Sequence, residues 1–371
     1  MQSTNPQYMW AQSINLVAAA FDISWLYQGL EDFKRTVLRN TFVKILSMIA
    51  VFIFIKDSSD VTLYIVIVAL SNFLGNFTLW PHALKMLKKV QLKELRPFRH
   101  FVPAVTMFVP QIASQLYVQL NRTMLGVMVN EKASGFYQYS DNLIKLVLAF
   151  ATATGTVMLP HVANAFAQGD MRKVKTMLYK SFDFVSALTY PMMFGIAGVS
   201  LTLAPLYYSQ AYAPIGTAMF IESIVILMIG WSNVIGTQYL LPVNRVKEFT
   251  TSIIVGAVVN IILNFPLIYF DGLNGAMWST VISEASVTVY QLWGVRHDLD
   301  LKLLFKQNWK YLISGVAMFV PVFWLNTHMK ASWLWLILKV LLGIVIYVAM
   351  VLVMRAPVVD QVKDLIKEHK H

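Results

Sequence analysis

The chain has 371 residues, of which 57% are hydrophobic and 13% are charged, and its mean hydropathy is +0.59. A soluble chain of this size needs far more polar surface to cover its core, so this composition excludes a soluble globular protein. The formal net charge is +11, which in a soluble protein would favour a nucleic acid as partner. Here the basic residues fall in short gaps between apolar runs, so membrane topology explains them and no nucleic acid is expected.

Long apolar runs dominate the chain. Spanning the hydrocarbon core of a membrane takes about 20 mostly apolar residues in a helix. Eleven such runs are predicted, at residues 8–30, 36–55, 61–80, 101–121, 135–160, 179–204, 214–241, 248–270, 274–296, 309–327 and 333–354. Their gaps are short, which predicts an all-α polytopic membrane protein without an inserted soluble domain. The longest gap, residues 81–100, has six basic residues and helical apolar spacing, which predicts an amphipathic linker on the membrane surface.

Lys and Arg are distributed unevenly between alternate gaps. One set of gaps, together with the C-terminal tail, holds 23 of them, and the opposite set holds four. Because cytoplasmic loops are enriched in Lys and Arg, the N-terminus is predicted outside and the C-terminus inside. Residues 1–10 lack the basic and apolar regions of a signal peptide. The topology therefore predicts that further helices precede this sequence; the alternative is a first helix that inserts by itself.

The residue inventory excludes several kinds of site. The chain has no Cys, so it forms no disulfide, thiolate metal site or cysteine nucleophile. The sequence contains no Walker loop and no His pair at metal-binding helical spacing, and its outer gaps are too short to build a catalytic site. Neither a cofactor, a metal nor an enzymatic activity is therefore predicted.

Two apolar runs carry rows of polar residues at four-residue spacing. The fourth run has Gln111, Gln115 and Gln119, followed by Arg122, and the eighth has Ser252, Gly256, Asn260 and Asn264. This spacing places each row along one helix face. Polar side chains are costly in a membrane helix unless they contact protein or water. Hydrogen bonds between helices are one explanation of the rows; rows on several helices, one ending in arginine, favour a hydrated central cavity that binds substrate.

The fifth run contributes Asp141 and Lys145, an acid and a base four residues apart. Such a pair neutralises itself locally, which is one interpretation. The other is that Lys145 reaches the cavity and, together with Arg122, binds an anion, because guanidinium and ammonium groups both bind phosphate. For Arg122 the alternative is a side chain that extends to the outer surface.

Three further acidic residues lie well inside apolar runs: Asp22 in the first, Glu222 in the seventh and Glu284 in the ninth, whereas Asp183 is close enough to the cytoplasmic edge of its run to be interfacial. Each is a candidate for binding a coupling proton or cation, or for pairing with a basic residue. Glu284 is the best candidate because it lies near the middle of its run.

Three segments resemble a known family. They are DISWLYQGLEDFKRTVLRN (residues 22–40), LNRTMLGVMVNEKASGFYQYSDNLIKL (residues 120–146) and VMLPHVANAFAQGD (residues 157–170). These are similar to bacterial flippases for O-antigen and exopolysaccharide repeat units, which belong to the multidrug/oligosaccharidyl-lipid/polysaccharide exporter superfamily. This chain has Asn121 directly before the arginine, at a position where the family often has an acidic residue.

The resemblance implies a fold of two six-helix lobes facing a central cavity, often with two further helices. Residues 1–98 would then be the remainder of a first lobe plus a basic linker, residues 99–300 a complete second lobe, and residues 301–371 the extra helix pair and tail. Three helices would be missing in front, which agrees with the topology prediction.

The resemblance also implies a function. The expected substrate is an undecaprenyl-pyrophosphate-linked oligosaccharide, moved across the bacterial cytoplasmic membrane by alternating access. Membrane lipids, a polysaccharide polymerase and glycosyltransferases are the expected partners. One alternative is a multidrug or cation-coupled exporter of the same superfamily, which would call for acidic cavity residues. A membrane glycosyltransferase or polymerase would need a large outer loop and ranks last.

Overall fold

The computed structural model describes residues 6–29, 33–86 and 119–361, and these residues form helices, turns and short connections. The chain divides into two compact units, Met1–Arg99 and His100–His371. The predicted boundary between the second lobe and an extra helix pair does not appear as a division into units, so that boundary stays a prediction.

The helices of unit 1 meet at one end through side chains that bind backbone carbonyls. They are α1 (Pro6–Ala20), α2 (Ser24–Gly29), α3 (Phe33–Phe54), a 3₁₀ turn (Ser58–Asp60), α4 (Val61–Phe77) and α5 (Trp80–Met86). Asn76 donates to the carbonyl of Ala18 at 2.7 Å, and Arg39 donates to that of Gly75 at 3.1 Å. The last four carbonyls of a helix have no partner within it, so these bonds provide a partner for one such carbonyl at the end of α1 and one at the end of α4.

Unit 2 is built from long helices. They are α6 (119–128), α7 (Glu131–Ala167), α8 (Met171–Tyr207), α9 (Pro214–Glu222), α10 (Ile224–Ser232) with a π-helical continuation (Asn233–Leu240), α11 (Val246–Val295), α12 (Leu301–Phe305), α13 (Asn308–His328) and α14 (Trp333–Val353). Asn130 caps the start of α7 and Asp170 that of α8, each by accepting a backbone N–H three residues on. Gly169 supplies the positive φ (76°) that the turn before α8 requires.

Helix α11 folds back on itself as a hairpin. The break lies at Asp271 and Gly272, where Gly272 has a φ of 49°. The two halves, one before and one after the break, pack against each other, and the Ser283 hydroxyl donates to the carbonyl of Gly256. Close to the turn, a Cβ on Gly275 would lie 1.9 Å from the carbonyl oxygen of Leu267. Small residues on the facing sides therefore allow the two halves to approach closely.

Seven helices in the described part of the chain are long and apolar enough to cross a membrane. The eighth and ninth predicted runs are the two halves of α11, which counts once among the seven. Most of the fourth run lies outside the described residues. The all-α, multi-pass membrane architecture is confirmed, whereas the count of eleven spans and their orientation stay predictions.

The first predicted run is not one helix, which corrects the sequence prediction. Helix α1 ends at Ala20, and the Asp22 carboxylate accepts the backbone N–H of Ser24 at 2.8 Å before α2 begins. Aspartate side chains compete in this way with helical hydrogen bonding. Asp22 therefore lies in an exposed turn and not inside a membrane helix.

We expect Gly275→Ala to destabilise the protein, because the added methyl group would overlap the backbone of the facing half of α11. Overpacking of this kind costs about 1–3 kcal/mol. Thermal unfolding of the purified protein measures the effect. The control is Gly294→Ala in the same helix, where the new Cβ has no described atom within 4 Å apart from its chain neighbours and the surrounding helix backbone. Equal unfolding midpoints for both variants would contradict close packing at the turn.

Candidate functional site

A cation cluster, formed by Arg122, Asp141 and Lys145, joins α6 to α7. One carboxylate oxygen of Asp141 accepts from the Arg122 guanidinium at 3.0 Å and from the Lys145 ammonium at 2.8 Å. The structure therefore contains the Asp141–Lys145 ion pair that was one of the two interpretations of the four-residue spacing, and it adds Arg122 to the same carboxylate. Both cations that the sequence singled out are brought together.

The cation cluster carries an excess positive charge and is only partly shielded. The Asp141 side chain is 9% exposed, that of Arg122 is 21% exposed and that of Lys145 is 49% exposed. Two cations share one carboxylate, so the formal charge of the cluster is +1. An ammonium group has three donors, and Asp141 uses one of those on Lys145. The exposed amine is thus able to bind an anion while Asp141 holds it in place.

Beside the cation cluster, Asn121 of α6 is the centre of a buried amide network. Its amide donates to the Tyr137 hydroxyl at 2.7 Å and to the Thr280 hydroxyl at 2.9 Å, and these two hydroxyls lie 3.0 Å apart. Asn121 is fully buried. The network joins α6, α7 and α11. Asn121, which stands where the family often has an acidic residue, therefore forms hydrogen bonds between helices.

Two of the predicted cavity residues belong to the same network. Asn264 donates to Asn121 and, at 2.8 Å, to Asn260, and Asn260 donates to Ser279 across the α11 hairpin at 3.3 Å. Both asparagines are 0% exposed. Their geometry favours the interpretation in which the polar row of the eighth run forms hydrogen bonds between helices.

The glutamine row of the fourth run is only partly described. Gln111 and Gln115 lie outside the described residues. Gln119 lies at the start of the described part of α6, where its side chain is exposed. Thr123, four residues on, is exposed as well, so both lie on one outward face of α6.

Sequence reasoning missed two exposed amides on α7. Gln138 and Asn142 are both exposed, and together with Lys145 they follow one helix face at positions i, i+4 and i+7. We refer to these three residues as the polar row. Their spacing from Lys145 was the signal available in the sequence.

The two candidate residues for a coupling proton or cation in unit 2 are both buried. Glu222 at the end of α9 is 1% exposed and accepts a hydrogen bond from the Ser140 hydroxyl. Glu284 is 7% exposed and lines a cavity of about 250 Å³ together with Asn233 and Gln291. Both carboxyl groups therefore lie in polar surroundings inside unit 2.

Sequence comparison identifies the family of this chain. The family model described as "Polysaccharide biosynthesis protein" matches residues 12–217, more than half of the chain. The chain belongs to this family. This match confirms the resemblance to polysaccharide flippases, which is carried by residues 22–40, 120–146 and 157–170.

Several curated relatives of this polysaccharide biosynthesis protein are assigned as transporters or flippases. A protein of Shigella dysenteriae, assigned as an O-antigen transporter, is 23% identical over 304 residues, which cover 76% of this chain and 71% of that protein. A protein of Haloferax volcanii, assigned as a low-salt glycan biosynthesis flippase, is 19% identical, with 76% of this chain and 59% of that protein covered. The chain thus spans only part of the length of these relatives.

Among solved structures, the lipid II flippase MurJ in an inward closed conformation has the same fold. The two structures superpose with a TM-score of 0.69 at 16% sequence identity, over 88% of this chain and 67% of the MurJ chain. The polysaccharide biosynthesis protein therefore has a MurJ-like flippase fold, as the sequence resemblance implied.

We expect Asn121→Leu to destabilise the protein, because it removes the hydrogen bonds that Asn121 forms with the hydroxyls of Tyr137 and Thr280 and with the amide of Asn264. Each intramolecular hydrogen bond contributes about 0.5–1.5 kcal/mol. Thermal unfolding measures the change. Asn274→Leu, which replaces an amide at the exposed hairpin turn of α11, is the matched control. If both variants unfold at the wild-type midpoint, the amide network does not hold α6, α7 and α11 together.

Proposed function

We propose that this protein is a flippase that moves an undecaprenyl-pyrophosphate-linked oligosaccharide across the bacterial cytoplasmic membrane. The observation that carries the proposal is the cation cluster, a net positive group with a half-exposed lysine on a helix long and apolar enough to span a membrane. Ionisable residues at such positions are rare and usually border a substrate path. The family and the assigned functions of the relatives support the same conclusion.

In this proposal the cation cluster binds the diphosphate. Arginine presents a rigid planar fork that suits phosphate oxygens, and lysine presents a mobile point charge. Asp141 orients both cations. It also lowers the charge of the cluster to +1, which keeps the binding of a dianionic group weak enough for release. The lipid tail stays in the bilayer while the headgroup passes beside α7.

Translocation would follow an alternating-access cycle in which the two lobes of the complete fold rock against each other. Polar groups on the outward faces of α6 and α7, such as Gln119 and Thr123, would then contact the sugars. A glycosyltransferase must complete the oligosaccharide before transport, and a polymerase would use it afterwards. These enzymes are the partners that the proposal implies.

Energy coupling is proposed to involve Glu222 and Glu284. Each carboxyl group is buried near polar side chains and is therefore able to change its protonation state or its partner during the cycle. Asp22 loses this role in the proposal because it lies in an exposed turn where it binds the backbone of Ser24.

A multidrug or cation exporter of the same superfamily is the competing function. Cationic drugs would require an exposed acidic group on the substrate path. Next to the cation cluster, the exposed charge on α7 is that of Lys145, whereas Glu222 and Glu284 are buried. The exposed acidic residue Glu131 lies at the start of α7, about 21 Å from Lys145 along the helix axis. If a strain expressing the protein shows restored polysaccharide export and unchanged drug susceptibility, the protein is a flippase and not a drug exporter.

We expect Arg122→Ala and Lys145→Ala each to reduce polysaccharide export at least tenfold. Each removes a charge-assisted hydrogen bond to the diphosphate, worth about 1.5–3 kcal/mol. Surface polysaccharide is measured in the source strain with the chromosomal gene replaced, at equal protein levels. Lys132→Ala is the control because Lys132 is an exposed lysine at the start of the same helix. Normal export by both cluster variants would refute the assignment of the diphosphate site.

A further inference from the structure

The outward side of α7 is divided into two rows of opposite character. The polar row is Gln138, Asn142 and Lys145, and an apolar row consists of Tyr139, Leu146 and Phe150. Leu146 is 62% exposed and Phe150 is 67% exposed. At about 100° per residue the two rows lie roughly 90° apart around the helix axis. Two neighbouring faces of one helix are therefore adapted to different surroundings.

The apolar row is suited to lipid, and the polar row is not. Asn142 lies 11 residues beyond Glu131, the first residue of α7, which is about 16 Å along the axis. Both amides lie within the apolar run at residues 135–160, and exposed amides inside a membrane-spanning segment are costly in hydrocarbon, where their donors and acceptors find no partner. The polar row is consequently expected to border water inside the membrane-spanning region.

The polar row continues directly from the cation cluster. Asn142 lies about 4.5 Å and Gln138 about 10.5 Å from Lys145 along the helix axis, both towards the start of α7. Two primary amides therefore lie one and two helical turns from Lys145 on the same face, next to any group that Lys145 binds. Any chain of polar groups attached to a bound diphosphate would lie along them.

We propose that Gln138 and Asn142 form a glycan subsite that recognises the first sugars attached to the diphosphate, an inference that rests on the proposed function. A primary amide offers both donors and an acceptor, which matches neighbouring sugar hydroxyls that also donate and accept. Phosphate oxygens only accept, so they are better served by the cations. The chemistry of the row thus changes where the substrate changes from diphosphate to sugar.

This assignment makes the two amides determinants of substrate specificity. A site that hydrogen-bonds a particular hydroxyl discriminates against a sugar that lacks it, because the amide is then left unpaired. Lys145 and Arg122 bind the diphosphate common to all carriers of this type and do not distinguish between glycans.

Binding of two probes to the purified full chain in detergent tests the subsite. One probe is farnesyl diphosphate, and the other is farnesyl diphosphate carrying the oligosaccharide repeat unit of the source strain. We expect Gln138→Ala and Asn142→Ala each to weaken binding of the glycosylated probe at least fivefold and to leave binding of farnesyl diphosphate unchanged. Lys145→Ala should weaken the binding of both probes.

Three controls make the outcomes distinct. Asn274→Ala removes an amide at the exposed hairpin turn of α11 and should bind both probes like the wild type. Unfolding midpoints establish that each variant is folded, and the more conservative Asn142→Gln should retain part of the discrimination. If the Gln138 and Asn142 variants bind the glycosylated probe normally, or lose both probes equally, the subsite is refuted while the proposed function stands. If the wild type binds neither probe, the proposed function fails and the subsite fails with it.

Discussion

A polar group inside a membrane-spanning segment must bind another polar group or contact water, and the arrangement of unit 2 depends on this constraint. Two sets of described polar residues are arranged in different ways under this constraint. Asn121, Asn260 and Asn264 are wholly buried and bind one another and their neighbours. Gln138, Asn142 and Lys145 lie exposed along a helix. Because hydrocarbon offers no hydrogen-bond partner, the first group is suited to helix packing and the second is expected to border water.

Helix α7 connects the two arrangements. Tyr137 points into the amide network and Ser140 binds Glu222 of α9, so one side of α7 is fixed to the rest of unit 2. Asp141 is also nearly buried, and from there it holds Arg122 and Lys145. The exposed amine is thereby attached to a rigid element. A cation positioned in this way would be preorganised for an anion and would lose little conformational entropy on binding one.

Much of this organisation follows from sequence periodicity alone. The eighth and ninth runs were predicted as separate elements, and they are the two halves of the α11 hairpin. The four-residue spacing of Asp141 and Lys145 gave their ion pair as one of two interpretations, and the structure contains that pair. Periodicity locates a face of a helix but does not identify what that face contacts. For this reason the row containing Asn260 and Asn264 could be assigned either to a cavity or to a helix interface, and the structure places it at the interface.

Other features could not be predicted because they depend on local competition or on tertiary contacts. Asp22 interrupts an apolar run by binding the backbone of Ser24, although hydropathy alone favours a continuous helix. The meeting of Arg122 with Asp141 requires α6 to pack against α7, which no pattern within either helix specifies. Gln138 and Asn142 were recognisable from their spacing to Lys145, but their exposure became evident only from the structure.

The central claim, that the polar row borders water within the membrane, is tested most directly by cysteine accessibility. The chain has no native Cys, so single cysteines can be placed at chosen positions without background. In intact membranes, Gln138→Cys and Asn142→Cys should react rapidly with a charged, water-soluble methanethiosulfonate reagent. Leu146→Cys and Phe150→Cys on the neighbouring apolar row should react slowly or not at all. Equal protection of all four positions, or faster reaction on the apolar row, would contradict the account.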